Sequence, residues 1–170
     1  FDEKRLLWAN GQFIRDLTLE ELSSRIANFW PDNAAGATDD YKLRILTLVQ
    51  DRLKTLHDLP MLTSYFFEKP VQNWDLITEN KQLKKLSKDN MYRLLTEVRD
   101  ALSASKWTPD DIKNTLNGLL DATGEKPGVL FSLVRIVTTW APFSPQLSDT
   151  LALMEQDDVL NRIDEAIKAL

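Results

Sequence analysis

Cysteine is absent from this chain, and histidine occurs once, as His57. The first absence removes disulfides, thiolate zinc sites and cysteine nucleophiles; the second removes every site that needs two imidazoles. Glycine is scarce: its five residues are scattered singly, so no glycine-rich loop is available to cradle a phosphate. No apolar run approaches the ~18 residues of a membrane-spanning helix, and no signal peptide is visible, so no membrane partner is expected. Excess positive charge is missing too. Against 26 Asp and Glu stand 21 Lys and Arg, a formal net charge of −5. That excludes a polycation that coats nucleic acid by bulk attraction, but not a reader that uses a few placed cations. Position 1 is Phe, and the only Met residues are Met61, Met91 and Met154. The expectation is a processed or truncated piece of a longer protein.

What is present is helical periodicity. Leu46, Val49, Leu53 and Leu56 step by three and four, which predicts one apolar stripe on one helix. Met91, Leu94, Leu95, Val98 and Leu102 repeat the pattern, as do Ile112, Leu116, Leu119 and Leu120, and then Val159, Leu160, Ile163, Ala166, Ile167 and Leu170. Start signals agree. Thr18 followed by Glu21 reads as a capping box, and Thr108-Pro109-Asp110-Asp111 sets an N-cap, a first-turn proline and two acids at a positive helix end. Only 129–139 is rich enough in β-branched residues to resemble a strand. It has no partner of similar character, so it is read as a buried helix, and the class is all-α.

Breaks fall at 31–38, at Pro70 and at 124–128. Pro70, after the aromatic cluster Tyr65-Phe66-Phe67, is the expected boundary between two helical subdomains, 1–70 and 71–170. Neither is basic: the first carries 9 cations and 11 acids, the second 12 and 15.

Most acids occupy helix starts or polar faces, where capping and solvation explain them better than acid–base catalysis. His57 is expected at a helix end or on the surface, since no second ligand could complete a site. Lys85-Leu86-Ser87-Lys88 resembles the Lys-Met-Ser-Lys-Ser loop of class I aminoacyl-tRNA synthetases, whose lysines stabilise ATP phosphates. Its plainer reading is a charged junction with Ser87 capping the following helix. Arg135 is the most unusual residue, the single charge between Pro127 and Ser148. Either it is a strut bonded to helix-end carbonyls or a carboxylate, or it is presented to a partner's acceptors.

Several strings together resemble glutamyl-tRNA synthetase of the bacterial and organellar type. Residues 1–15, opening Phe1-Asp2-Glu3-Lys4-Arg5-Leu6-Leu7-Trp8-Ala9-Asn10, resemble the family's Phe-Asp-x-x-Lys-Leu-x-Trp-x-Asn segment, with Arg5 where Lys is usual. Arg52-Leu53-Lys54-Thr55-Leu56 is similar to its Arg-x-Lys-Thr-Leu helix, Tyr65-Phe66-Phe67 to the aromatic triplet after it, and Trp107-Thr108 to the start of its next helix. Leu133 to Thr139 resembles Leu-Arg-x-Ala-x-Thr-Gly, with Ser144-Pro145-Gln146-Leu147 and Val159-Leu160-Asn161-Arg162-Ile163 as closing elements. The strings occur in the family's order across the whole chain. Two departures matter: Trp140 stands where Gly is usual, so that turn must be built differently. Met154-Glu155-Gln156 replaces a Leu-Gly-Lys turn, which puts a basic contact in doubt.

The resemblance implies a stem-contact helical domain over 1–70 and an all-helical anticodon-binding domain over 71–170. By the same resemblance, Arg52 meets the third anticodon base of tRNA(Glu). Arg135, Ser144, Pro145 and Leu147 shape the pocket for the first two, with the Pro and Leu as apolar platforms. Trp140 and Phe143 are stacking candidates by position only, and Trp140 is better explained by core packing. In the family the Lys-Met-Ser-Lys-Ser loop precedes the Phe-Asp segment, whereas Lys85 follows it, and one His cannot supply His-x-Gly-His. This stretch is therefore expected to hold no catalytic residue, metal or cofactor, with ATP and Mg belonging to a catalytic half at its N-terminal side. A monomer is expected, in the bacterial cytoplasm or alternatively the mitochondrial matrix. The rival reading is a helical adaptor with an amphipathic groove for a protein partner.

Overall fold

Local capping chemistry starts most of the helices. Thr18 accepts from the Glu21 amide at 3.1 Å while Glu21 reaches back to the Thr18 amide, completing the capping box. Thr38, Ser87 and Thr108 each accept from the amide three residues on, at 3.1–3.2 Å. Such caps are worth about 1 kcal/mol each. The computed structural model describes residues 2–170. Its helices are α1 (Glu3–Asp16), α2 (Leu19–Ile26), α3 (Asp39–Val49), α4 (Leu59–Phe67), α5 (Asp75–Thr78), α6 (Lys88–Ala104), α7 (Pro109–Thr123), α8 (Pro127–Thr139), α9 (Leu147–Ala152) and α10 (Gln156–Ala169). No strand occurs among the described residues, and 127–139 is the buried helix the sequence suggested. The class is all-α. None of these helices is long and apolar enough to cross a membrane.

The chain divides into two units, one running to Glu68 and the other from Lys69 to Leu170. In the first, α2 and α3 bury Leu22, Ile26, Ile45 and Leu46 against one another, each worth about 1.5–3 kcal/mol relative to exposure. The helix predicted to carry Leu46 through Leu56 is corrected here: α3 ends at Val49. The next residues form a 3-10 turn, Gln50–Arg52, and Leu53 is extended. The reason is tertiary. Gln50 Nε2 donates to the carbonyls of Ile14 and Leu17, both at 3.0 Å, and Asn10 donates to the Lys54 carbonyl. The Asp58 carboxylate accepts from the amides of Lys54 and Thr55, both at 3.0 Å. Leu53 stays fully buried, so the apolar pattern is honoured without the helix. His57 lies exposed in the 3-10 turn Leu56–Asp58, edge-on to Phe29.

In the second unit α6, α7, α8 and α10 surround a core that includes Leu94, Val98, Ile112, Leu133 and Ile163. Side chains seal the helix ends. Gln156 donates to the carbonyls of Leu102 and Ser105 at 2.8 and 3.1 Å, satisfying orphan acceptors at the end of α6. Gln156, which the resemblance sets in place of a lysine, is thus a helix cap. Trp107 Nε1 donates to the Met154 carbonyl at 2.7 Å.

At the end of α8, Trp140 adopts φ 46 and ψ 38, the one non-glycine residue with positive φ among those described. Its turn therefore takes the left-handed C-cap conformation that glycine favours, built here on a tryptophan. That conformation costs an L-residue roughly 1–2 kcal/mol. The indole is only 9% exposed and packs on Trp74, ring centroids 5.2 Å apart, and this burial offsets the strain.

Candidate nucleic-acid interface

Arg135 occupies the middle of α8, flanked by the buried Val134 and Ile136. Its Nε donates to Ser144 Oγ at 2.9 Å, and that hydroxyl donates onward to the Pro145 carbonyl at 3.1 Å. A charge-assisted bond of this kind is among the stronger neutral–ion contacts and sets the direction of the guanidinium. Thr150 Oγ also donates to the Pro145 carbonyl, at 3.3 Å, so the segment entering α9 is tied from both sides.

The guanidinium lines a groove of about 140 Å³ between α7, α8 and the start of α9. Leu116, Phe131 and Leu147 supply its apolar surface; Lys113 and Asn117 from α7, with Gln146 and Ser148, supply polar groups. Clefts for drug-sized ligands run ~300–1,000 Å³, so this one is smaller than a drug-sized site. Its chemistry is that of a cation-lined slot with amide and hydroxyl donors and acceptors over an apolar floor.

The five residues singled out from the sequence do not share one place. Arg135 and Leu147 line the groove. Ser144 and Pro145 are buried and not among its lining residues; they support the wall rather than form an open platform. Arg52 belongs to the other unit, exposed at the end of the 3-10 turn whose backbone is held by Gln50 and by Arg15 on the Asp51 carbonyl. Among the described residues it forms no ion pair with Asp51 or Asp58, the latter being engaged by backbone amides.

Two groove residues escaped the sequence reading, Lys113 and Asn117. Their i,i+4 spacing beside the Ile112–Leu116 stripe was the available signal. Arg162 escaped as well. It is 3% exposed, donates to the Thr138 carbonyl at 2.7 Å and pairs with Asp158 at 3.1 Å. A buried arginine strut is thus present at Arg162.

The model of the family described as "Anticodon binding domain" matches residues 18–167. The chain belongs to that anticodon-binding domain family. Its relatives include the glutamate–tRNA ligases of Chloroflexus aurantiacus, 30% identical over 100% of this chain and 35% of that protein, and Roseiflexus castenholzii, 32% identical over 100% and 34%. The anticodon-binding chain thus spans about a third of the length of the curated relatives it matches. The crystal structure of a glutamate tRNA ligase from Elizabethkingia meningosepticum superposes with a TM-score of 0.84 over 100% of this chain and 33% of that one, at 20% identity, which supports the fold. The family match runs across the boundary at Glu68 and covers both Arg52 and the Arg135 groove, while α1 lies outside it.

Proposed function

We propose that this chain is the tRNA-binding part of a glutamate–tRNA ligase and reads the anticodon loop of tRNA(Glu). The observation that carries the reading is the position of Arg135: inside the family match, on the wall of a small groove with an apolar floor. RNA loops are read by stacking and by bonds to the edges of splayed bases, so a domain of net charge −5 can bind if its donors are well placed. In this reading Arg135 supplies donors to a base edge and Leu147 supplies apolar contact. Ser144 and Pro145 fix the guanidinium and the entry to α9, and Arg52 meets the third anticodon base. Glutamate activation, with ATP and Mg, falls to the catalytic portion of the whole ligase, the chain's partner in the same polypeptide. The ligase is proposed to act as a monomer in the bacterial cytoplasm, or alternatively in the mitochondrial matrix.

Titration of the 170-residue chain with an RNA stem-loop bearing a glutamate anticodon, at two salt concentrations, tests this. Saturable binding that exceeds binding to a stem-loop of scrambled loop sequence is expected. Equal binding to both would remove the anticodon reading.

A further inference from the structure

We propose that Phe143 is a stacking platform for an unpaired nucleobase, and that Trp140 is the positioning residue that holds it in place. The inference rests on the anticodon-loop reading above and adds two residues to it.

Phe143 is 51% exposed, yet the residues on either side of its segment are fixed. On one side, the Trp140 amide donates to the Ile136 carbonyl at 2.7 Å, and the indole is buried on Trp74. Thr139 Oγ accepts from the Ala141 amide at 3.3 Å. On the other side, Ser144 is buried and held by Arg135. Pro142 restricts φ just before Phe143, and Pro145 does so just after Ser144. An aromatic ring is thus kept in water on a segment with little freedom to bury it.

Trp140 explains how. A glycine would take the left-handed turn without strain but would bring no ring to anchor the segment. The tryptophan accepts a strained backbone and gains the contact with Trp74. Strain retained at a single non-glycine position among the described residues, three residues from an exposed aromatic, suits a site whose geometry must be held.

The occupant is a base rather than a phosphate. The segment 141–146 carries no charge, and a π-face offers nothing to a phosphate. Phe143 lies directly before Ser144, whose hydroxyl accepts from the Arg135 guanidinium. Stacking on one side and edge donors on the other are the two contacts that single-stranded bases use.

The test uses the 170-residue chain and the glutamate-anticodon stem-loop, with 2-aminopurine placed at one loop position at a time. Binding is expected to quench one position. Phe143→Ala should abolish that quench and weaken binding about 5- to 150-fold, whereas Phe143→Tyr keeps both. The salt slope should not change, since no cation is removed. Trp140→Phe should keep the quench. Trp140→Ala should lose it in protein whose far-ultraviolet dichroism is still helical, which a merely structural role would not produce. Unchanged quench and affinity in Phe143→Ala, with binding lost in Arg135→Ala, would overturn the stacking proposal and leave the anticodon reading intact. No binding by the unmodified chain would overturn both.

Discussion

Arg162 donates from Nη1 to the carbonyl oxygen of Thr138 at 2.7 Å, so a cation on α10 closes the negative end of α8. The same guanidinium grips Asp158 through Nε and Nη2, both at 3.1 Å. Asp158 is 40% exposed while Arg162 is 2% exposed in its side chain, so the pair delivers a charge to the interior and keeps its counter-charge half in water.

Removing that cation leaves a buried carbonyl unsatisfied and a cavity beside it. Arg162→Ala is expected to destabilise the chain by roughly 2–4 kcal/mol. Arg162→Lys should recover only part of this, because an ammonium cannot hold a carboxylate and a carbonyl in one planar fork. Urea unfolding of the three proteins checks both; equal stability of Arg162→Ala and the unmodified chain would remove the role assigned to this residue.

One substitution made at two glycines should have opposite signs. Gly118 lies exposed inside α7, and an added Cβ meets nothing within 4 Å. Gly118→Ala should stabilise by about 0.5–1 kcal/mol through helix propensity. Gly124 ends α7 at φ 70, also with nothing within 4 Å of an added Cβ. Gly124→Ala should cost about 1–2 kcal/mol, all of it from the backbone. Thermal denaturation resolves the two shifts.

Arg135→Ala should weaken binding of the glutamate-anticodon stem-loop by about 1–3 kcal/mol. Its cost to stability is expected to be smaller than its cost to binding. Paired titration and melting measurements decide it. A large fall in melting temperature, with affinity retained by the folded protein, would make Arg135 a strut.

With Arg52 at the third anticodon base, as proposed, discrimination there is expected to follow from donor chemistry. Cytosine offers the O2 and N3 acceptors on its pairing edge, which suit a guanidinium that can only donate. Guanine presents N1–H and N2–H donors, so an arginine there meets like groups and loses its bonds. In the whole ligase, Arg52→Gln should relax any preference for tRNA(Glu) over tRNA(Gln), because an amide both donates and accepts. Charging rates on both tRNAs measure the ratio, and an unchanged ratio would take Arg52 out of base reading.

Local signals carried much of the architecture. The capping box at Thr18, the Ser87 cap and the Thr108-Pro109 start could be read directly, because each is satisfied within four residues along the chain. The apolar stripes of α6, α7 and α10 could be read for the same reason: a 3.6-residue period is a property of one helix. Arg135 was conspicuous as a lone charge, and its partner Ser144 was already in the resembling motif.

What the sequence determined by itself, then, was the helical class, most helix starts, the apolar faces and the residues worth watching. Tertiary structure decided the rest, wherever a backbone or charged group could choose between a local and a distant partner. The chain stops α3 at Val49 because Gln50 and Asn10 bond to groups 33 to 44 residues away, and no periodicity encodes those bonds. Trp140 turns left-handed because Trp74 gives its ring a buried contact that repays the strain. Arg162 is a buried strut because the end of α8 faces α10, a matter of packing between helices that neither helix specifies on its own.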